Sequence, residues 1–235
     1  MRIVSLVPCI TETLVAAGLG DRIVGHSRYC PEVDGAAVVG GVWDPDLDAI
    51  AALAPDTVYI DPEEQRPEHV DALEARLSVK RVSVRSIADS VALAEAFGLP
   101  AGHHEADPVG PPVPAVVPIW LRPLRLLGAG RYGDAVLAAA GFANRVTAPG
   151  YPGGPSGCDD VDGLGDLLDG ACLLLPTEPW SFGEDDAARY RAAHPNLQSV
   201  RVVDGRDLFW YGARTLSAIA RLRDVQRTLK EGTTP

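Results

Sequence analysis

The run from Leu99 to Pro118, LPAGHHEADPVGPPVPAVVP, limits the possible folds more than any other part of this 235-residue chain. It holds six prolines and two glycines. Proline lacks a backbone N–H and resists helix interiors and central strands alike, so the run reads as a connector. On each side of it, short β-branched runs alternate with helical patterns. That alternation predicts a mostly parallel sheet covered by helices on both faces. The expected organisation is an α/β lobe over 1–98, a Pro/Gly linker over 99–114 and a second α/β lobe over 115–235. A cleft between two such lobes is the default place for a ligand.

The order of elements follows from local pattern. Arg2 to Leu6 reads as a buried strand, Ile10 to Ala17 as a helix stopped by Gly18 and Gly20, and Arg22 to Gly25 as a second strand. A loop is expected from Ser27 to Val42. Pro45 then suits a helix start, and Thr57 to Ile60 a strand. Past the linker, strands are expected at Ala115–Ile119, Cys172–Leu175 and Val200–Val203. Helices are expected at Tyr132–Ala140, Asp185–Ala193 and Thr215–Leu229. Thr147 to Cys158, with four glycines and three prolines, can only be loop.

Composition excludes several classes. A net charge of −11 argues against nucleic acid and anionic membrane as partners. No apolar run approaches the length of a membrane span, so no membrane insertion is expected. The first residues, MRIVSLVPCITETL, enter a strand pattern directly, without a charged leader, a long apolar stretch or a small-residue cleavage site. The sequence as written therefore reads as cytoplasmic. Cys9, Cys30, Cys158 and Cys172 are widely spaced and show no zinc-site spacing, so they read as packed or idle thiols.

Two motifs invite chemistry and are read structurally. Gly128-Ala-Gly-Arg-Tyr-Gly133 satisfies GxGxxG before a helix. A dinucleotide fingerprint belongs directly after the first strand of a βαβ unit, with an acid about 20 residues on, and here a loop precedes it and a Gly/Pro loop follows. His103, His104, Glu105 and Asp107 crowd the linker, but neighbours on a flexible segment rarely converge on one ion, so they read as solvated. No GxSxG, P-loop or HExxH is present. No catalytic residue, protein-held metal or resident cofactor is expected.

The tryptophans carry more information. All four lie beside loop signals: Trp43-Asp-Pro, Trp120-Leu-Arg-Pro, Pro179-Trp180-Ser-Phe182 and Phe209-Trp210-Tyr-Gly. In open α/β sheets ligands bind beyond the carboxyl ends of the strands. Large aromatics at such loops suit stacking on a flat apolar ligand.

The same residues carry a family resemblance that covers nearly the whole chain. RIVSLVPCITETLVAAGLGDRIVG, Arg28-Tyr-Cys-Pro31, GGVWDPDLDAIAALAPDTVYI and Asp61-Pro-Glu-Glu-Gln-Arg66 follow one another in register. Ile119-Trp-Leu-Arg-Pro, Pro176 to Phe182 and Asp204 to Arg214 follow in the second half. In this the chain resembles the periplasmic-type binding proteins of ABC importers for cobalamin, haem and ferric siderophores. More narrowly it is similar to the signal-less, cobalamin-binding-like members called helical backbone metal receptors.

The resemblance implies two Rossmann-like lobes around a central cleft with aromatics from both. Tyr29 and Trp43 would line the first lobe's rim, and Trp120, Trp180, Phe182, Trp210 and Arg214 the second. Asp48 and Asp162 fall where the family carries one acid per lobe to pair with the importer permease, and both are Asp where Glu is usual. The long helix that crosses between lobes in the family is missing here, with Pro and Gly in its place. Arg122 and Arg125 add positive charge suited to a carboxylate or phosphate on a ligand.

The reading is a non-enzymatic binding protein for a small-molecule metal chelate, a corrinoid first, then haem or a ferric siderophore. An NAD(P)-type oxidoreductase using Gly128 to Gly133, or a protein-interaction module, are the alternatives.

Overall fold

In the computed structural model, residues 1–100, 110–154 and 158–231 are described. The chain divides into two compact units. Unit 1 comprises Met1–Val84, Ala88–Gly102 and Tyr211–Ala213, and unit 2 comprises Arg85–Ile87, His103–Trp210 and Arg214–Pro235.

Unit 1 is built on five parallel strands. Their ranges are β1 (Ile3–Ser5), β2 (Ile23–His26), β3 (Ala37–Val38), β4 (Thr57–Ile60) and β5 (Val79–Arg81), in the order β3-β2-β1-β4-β5. β1 and β4 are buried along their whole length, as the apolar runs require. The helices are α1 (Pro8–Ala16), α2 (Leu47–Ala52), α3 (Pro67–Glu74) and α4 (Ile87–Ala96). Pro8 and Pro67 open α1 and α3, where a missing N–H costs nothing. The helix expected at Pro45 begins two residues later. Asp46 caps it, its Oδ1 accepting from the Ala49 amide at 2.9 Å. The core gathers Val4, Leu6, Ile50, Val58, Ile60, Val70 and Leu73.

Three residues from far along the chain complete this unit. Tyr211 Oη donates to Asp61 Oδ2 at 3.1 Å, and the Ala213 amide donates to Thr13 Oγ1 at 3.1 Å. Tyr211 is buried, as are Asp61 and Thr13.

Unit 2 has four parallel strands, β6 (Val113–Val116), β9 (Phe142–Asn144), β10 (Cys172–Pro176) and β11 (Ser199–Val203), in the order β11-β10-β6-β9. An antiparallel hairpin joins β7 (Pro118–Trp120) to β8 (Arg125–Leu126). Its helices are α5 (Tyr132–Ala139), α6 (Glu184–Ala193), α7 (Arg206–Phe209) and α8 (Thr215–Glu231). The core gathers Val116, Leu124, Leu173, Leu175, Phe182, Tyr190 and Val200.

Pro114 corrects the expectation that the proline run stays outside the sheet, because it lies within central strand β6. The Val113 amide donates to Gly141 O and the Arg145 amide to Ala115 O, so residues 113 and 115 face β9. Pro114 faces the β10 side, where pairing starts only at Ala115, so no ladder bond is lost. The described residues 97–100 and 110–112 are not helical. Residues 101–109, with the His103 to Asp107 group, lie outside the described residues.

Candidate functional site

Each unit presents aromatic side chains near the carboxyl ends of its strands. In unit 1 the chain leaves β2 through Ser27, whose amide donates to Ser5 O at 3.1 Å, and Arg28, whose amide donates to Gly40 O at 2.8 Å. A tight turn from Gly40 to Pro45 follows. Gly40 has φ +89°, and a side chain there would collide with the backbone of Asp44 and Asp46. The turn holds Trp43 outward at 56% exposure, the same as Tyr29. Arg28 bridges to Asp44 through two bonds of 3.3 and 3.0 Å. Gly41 leaves the space in which Arg28 and Tyr29 lie.

Beneath these residues is a polar group that sequence reasoning missed. Thr11 Oγ1 donates to Ser5 Oγ at 2.8 Å, and Ser27 Oγ lies 3.2 Å from Cys30 Sγ. Burial, with the charge of Glu64 next, drives the Cys9 thiol well up. The signal was present as Ser, Thr and Cys clustered at the first two strand ends, but such residues are common in any turn.

In unit 2, Trp120 ends β7 and Trp180 lies in the loop after β10. Their rings meet edge to face at 5.4 Å and 78°, a favoured aromatic geometry. Trp210 follows α7, with the Arg214 guanidinium 5.4 Å and the Arg206 guanidinium 5.9 Å from its ring. The Trp210 indole bonds to Glu178. Burial pushes the Glu178 carboxyl up, while the indole bond and the arginines pull it back. The Gly205 amide donates to Thr177 Oγ1 at 3.1 Å, tying the two loops together.

Phe182 and Arg214 are also engaged with neighbours inside unit 2. Phe182 is 2% exposed and belongs to the second core, where Trp180 packs against the same cluster. Arg214 is turned to carboxylates, 3.3 Å from Asp207 and 3.8 Å from Asp204. Asp207 is itself buried and also held by Arg221 at 2.7 Å. A buried carboxylate needs such partners.

Residues 3–90 match the family model described as "Periplasmic binding protein". No curated protein matches the chain. Among solved structures, the periplasmic vitamin B12 binding protein of Vibrio cholerae superposes with a TM-score of 0.78 at 18% identity, covering 98% of each chain. The periplasmic haem-binding protein of Roseiflexus sp. RS-1, in apo form, gives 0.71 at 21% identity over 99% of each chain. The periplasmic haem-binding protein of Vibrio cholerae gives 0.72 at 13% identity, covering 96% of this chain and 98% of that one.

This is the periplasmic binding protein fold.

The match and the fold agree with the resemblance read from the sequence. The similar proteins are described as periplasmic. The cytoplasmic expectation drew on the amino-terminal residues alone and finds no support. No helix among the described residues is long and apolar enough to cross a membrane.

Within the periplasmic binding protein fold, the glycine run has a structural use. The Gly128 amide donates to Gly150 O and the Ala129 amide to Ala148 O, both at 2.9 Å. The Gly130 amide donates to Asp134 Oδ2 at 3.0 Å. Amides engaged in this way do not cradle a pyrophosphate. The preceding strand is β8 of an antiparallel hairpin, which also departs from a dinucleotide unit.

The two acids expected from the sequence to face a permease stand at the surface. Asp48 lies in the first turn of α2, 3.0 Å from Arg76. Asp162 lies in the 3-10 segment Val161–Leu167, 2.8 Å from His194 and 3.9 Å from Arg189. Among the described residues, no group of three or more His, Cys, Asp and Glu could hold a metal.

Proposed function

We propose that the chain is a non-enzymatic substrate-binding protein for a metal chelate, a corrinoid first and haem or a ferric siderophore next, serving an ABC importer permease. The observation that carries this reading is the edge-to-face pair Trp120–Trp180, formed between the end of β7 and the loop after β10 in unit 2. The exposed Trp43 and Tyr29 of unit 1 support it. A planar apolar macrocycle loses its hydration to such aromatic surfaces, and the arginines and acids around them orient its polar arms. The lobes at 1–98 and 115–235, joined through 99–114, belong to the same reading. Asp48 and Asp162 would then meet arginines of the permease. The neighbours named above, which bind vitamin B12 and haem, favour the class over any single ligand.

Tryptophan fluorescence during titration, corrected for inner-filter absorption, tests the reading. Cobalamin is expected to quench saturably at micromolar concentration. Quenching by haem or by a ferric siderophore instead keeps the class and changes the ligand. Absence of quenching by all three overturns the proposal.

A further inference from the structure

The loops after β10 and β11 are locked to one another. The Thr177 amide donates to Val203 O at 3.0 Å, which carries the pairing of the two strands one residue past Pro176. The Gly205 amide then donates to Thr177 Oγ1 at 3.1 Å. Gly205 has φ −60° and ψ −30°, a conformation open to any residue, so its backbone does not call for glycine. Its surroundings do. A Cβ there would collide with Glu178 O and come within 2.7 Å of Glu178 Cγ. The start of α7 is seated directly on Glu178.

Trp210 ends α7. Its amide donates to Arg206 O at 3.0 Å, and its carbonyl accepts from Tyr132 Oη at 3.4 Å, so its backbone is fixed from two sides. The indole N–H, which can only donate, bonds to the Glu178 carboxylate. The guanidinium groups near the ring, those of Arg214 and Arg206, are taken up by Asp207 and Asp204. Glu178 makes no ion pair among the described residues. A partly buried carboxylate without a cation of its own is costly unless its oxygens accept hydrogen bonds. Here the indole supplies the donor.

We infer that Glu178 is a positioning residue, which holds the Trp210 indole in one orientation for the bound chelate. The inference rests on the chelate-binding reading above and adds to it a residue that acts through Trp210 and not on the ligand. An aromatic wall ordered before the ligand arrives spares the complex the loss of rotamer freedom. Without the carboxylate, the indole is free to sample its other staggered rotamers. Gly205 belongs to the same device, because only glycine lets α7 approach Glu178 this closely.

The test is calorimetric titration of the full chain with cobalamin, haem and ferrichrome, in wild type, E178M, E178Q, W210F and the double variant E178M/W210F. E178M keeps the contact with Gly205 and removes the carboxylate; E178A serves in its place if thermal unfolding shows that E178M does not fold. E178M is expected to bind about five- to tenfold more weakly than wild type, the effect of ordering one freed side chain. The amide oxygen of E178Q still accepts the indole N–H, so E178Q is expected to recover most of that loss. In the W210F background no indole N–H remains, and E178M is expected to change affinity less than about twofold. A merely structural role would weaken both backgrounds alike. The ligand-free proteins give a second readout: near-UV circular dichroism is expected to lose a tryptophan band in E178M and to keep it in E178Q. Equal binding by wild type and E178M, or equal losses with and without the indole, overturns the inference while the chelate reading stands. Binding of none of the three probes by wild type overturns both.

Discussion

The Gly212 amide donates to Ser90 Oγ at 2.6 Å across 122 residues of sequence. Gly212 has φ +93°, and a Cβ there would run into the Thr13 side chain. Ser90 and Thr13 are fully buried. Gly212→Ala therefore adds both backbone strain and a collision in a packed interior, and is expected to cost roughly 2–4 kcal/mol. Thermal unfolding followed by circular dichroism reads this as a clear fall in Tm. An unchanged Tm would show that the segment is not held in unit 1.

Gln65 presents the opposite situation. Its side chain is 4% exposed, and neither Nε2 nor Oε1 has a hydrogen-bond partner among the described residues. An unsatisfied buried amide costs about 1–3 kcal/mol, and an apolar side chain of similar shape removes that cost. Gln65→Met is expected to raise stability in urea unfolding, whereas a fall would mean that the amide is bonded in solution.

Asp160 should give unit 2 an acid limit. Burial raises its carboxyl, but bonds from Tyr190, Arg189 and the Val161 amide outweigh that and hold it below its ordinary value. A carboxylate depressed in the folded state stabilises fully above its unfolded pKa and loses that contribution as pH falls through the folded one. Stability is expected to drop below the ordinary carboxylate range, between about pH 4 and more acid values. Asp160→Asn should start less stable at neutral pH and show a shallower acid slope in denaturant melts.

The thiols should react in a fixed order. Burial pushes Cys172 up to about 12 against the charge of Arg201, and burial pushes Cys9 and Cys30 up as well. The thiolate is the reactive form. Cys9 and Cys172 are buried and Cys158 only partly so, and in native protein at neutral pH Ellman's reagent is expected to reach Cys158 before them, with Cys9 and Cys172 released only on unfolding. Rapid modification of all four would mean that the cores open readily.

How much of this was legible in the sequence depends on the range of the interaction concerned. β1, β4 and β10 announce themselves because a strand buried on both faces is an unbroken apolar run. β3 does not, since Ala37 and Val38 are exposed and only two residues long. The β7–β8 hairpin is hidden because Ala115–Ile119 reads as one strand, where the chain instead breaks between β6 and β7, and because Pro123 reads as loop. The tryptophans were placed at loops by their Pro and Gly neighbours, and Trp180 does lie on one, while Trp120 ends strand β7 and meets it edge to face. Phe182 and Trp180, two residues apart, look alike in sequence, yet one is core and the other stands on it. The pairing of Asp207 with Arg221 follows from packing of α7 on α8, which no local period encodes.

The membership of Tyr211–Ala213 in unit 1 also bears on how the protein is made. Its last helix, α4, ends at Ala96, and its final hydrogen bonds wait for residues over a hundred positions downstream. Domains commonly fold amino-terminal first as they leave the ribosome. Here the first unit emerges early, but its bonds to Tyr211–Ala213 can form only after most of the second has been made. The order of translation is thus not the order of completion.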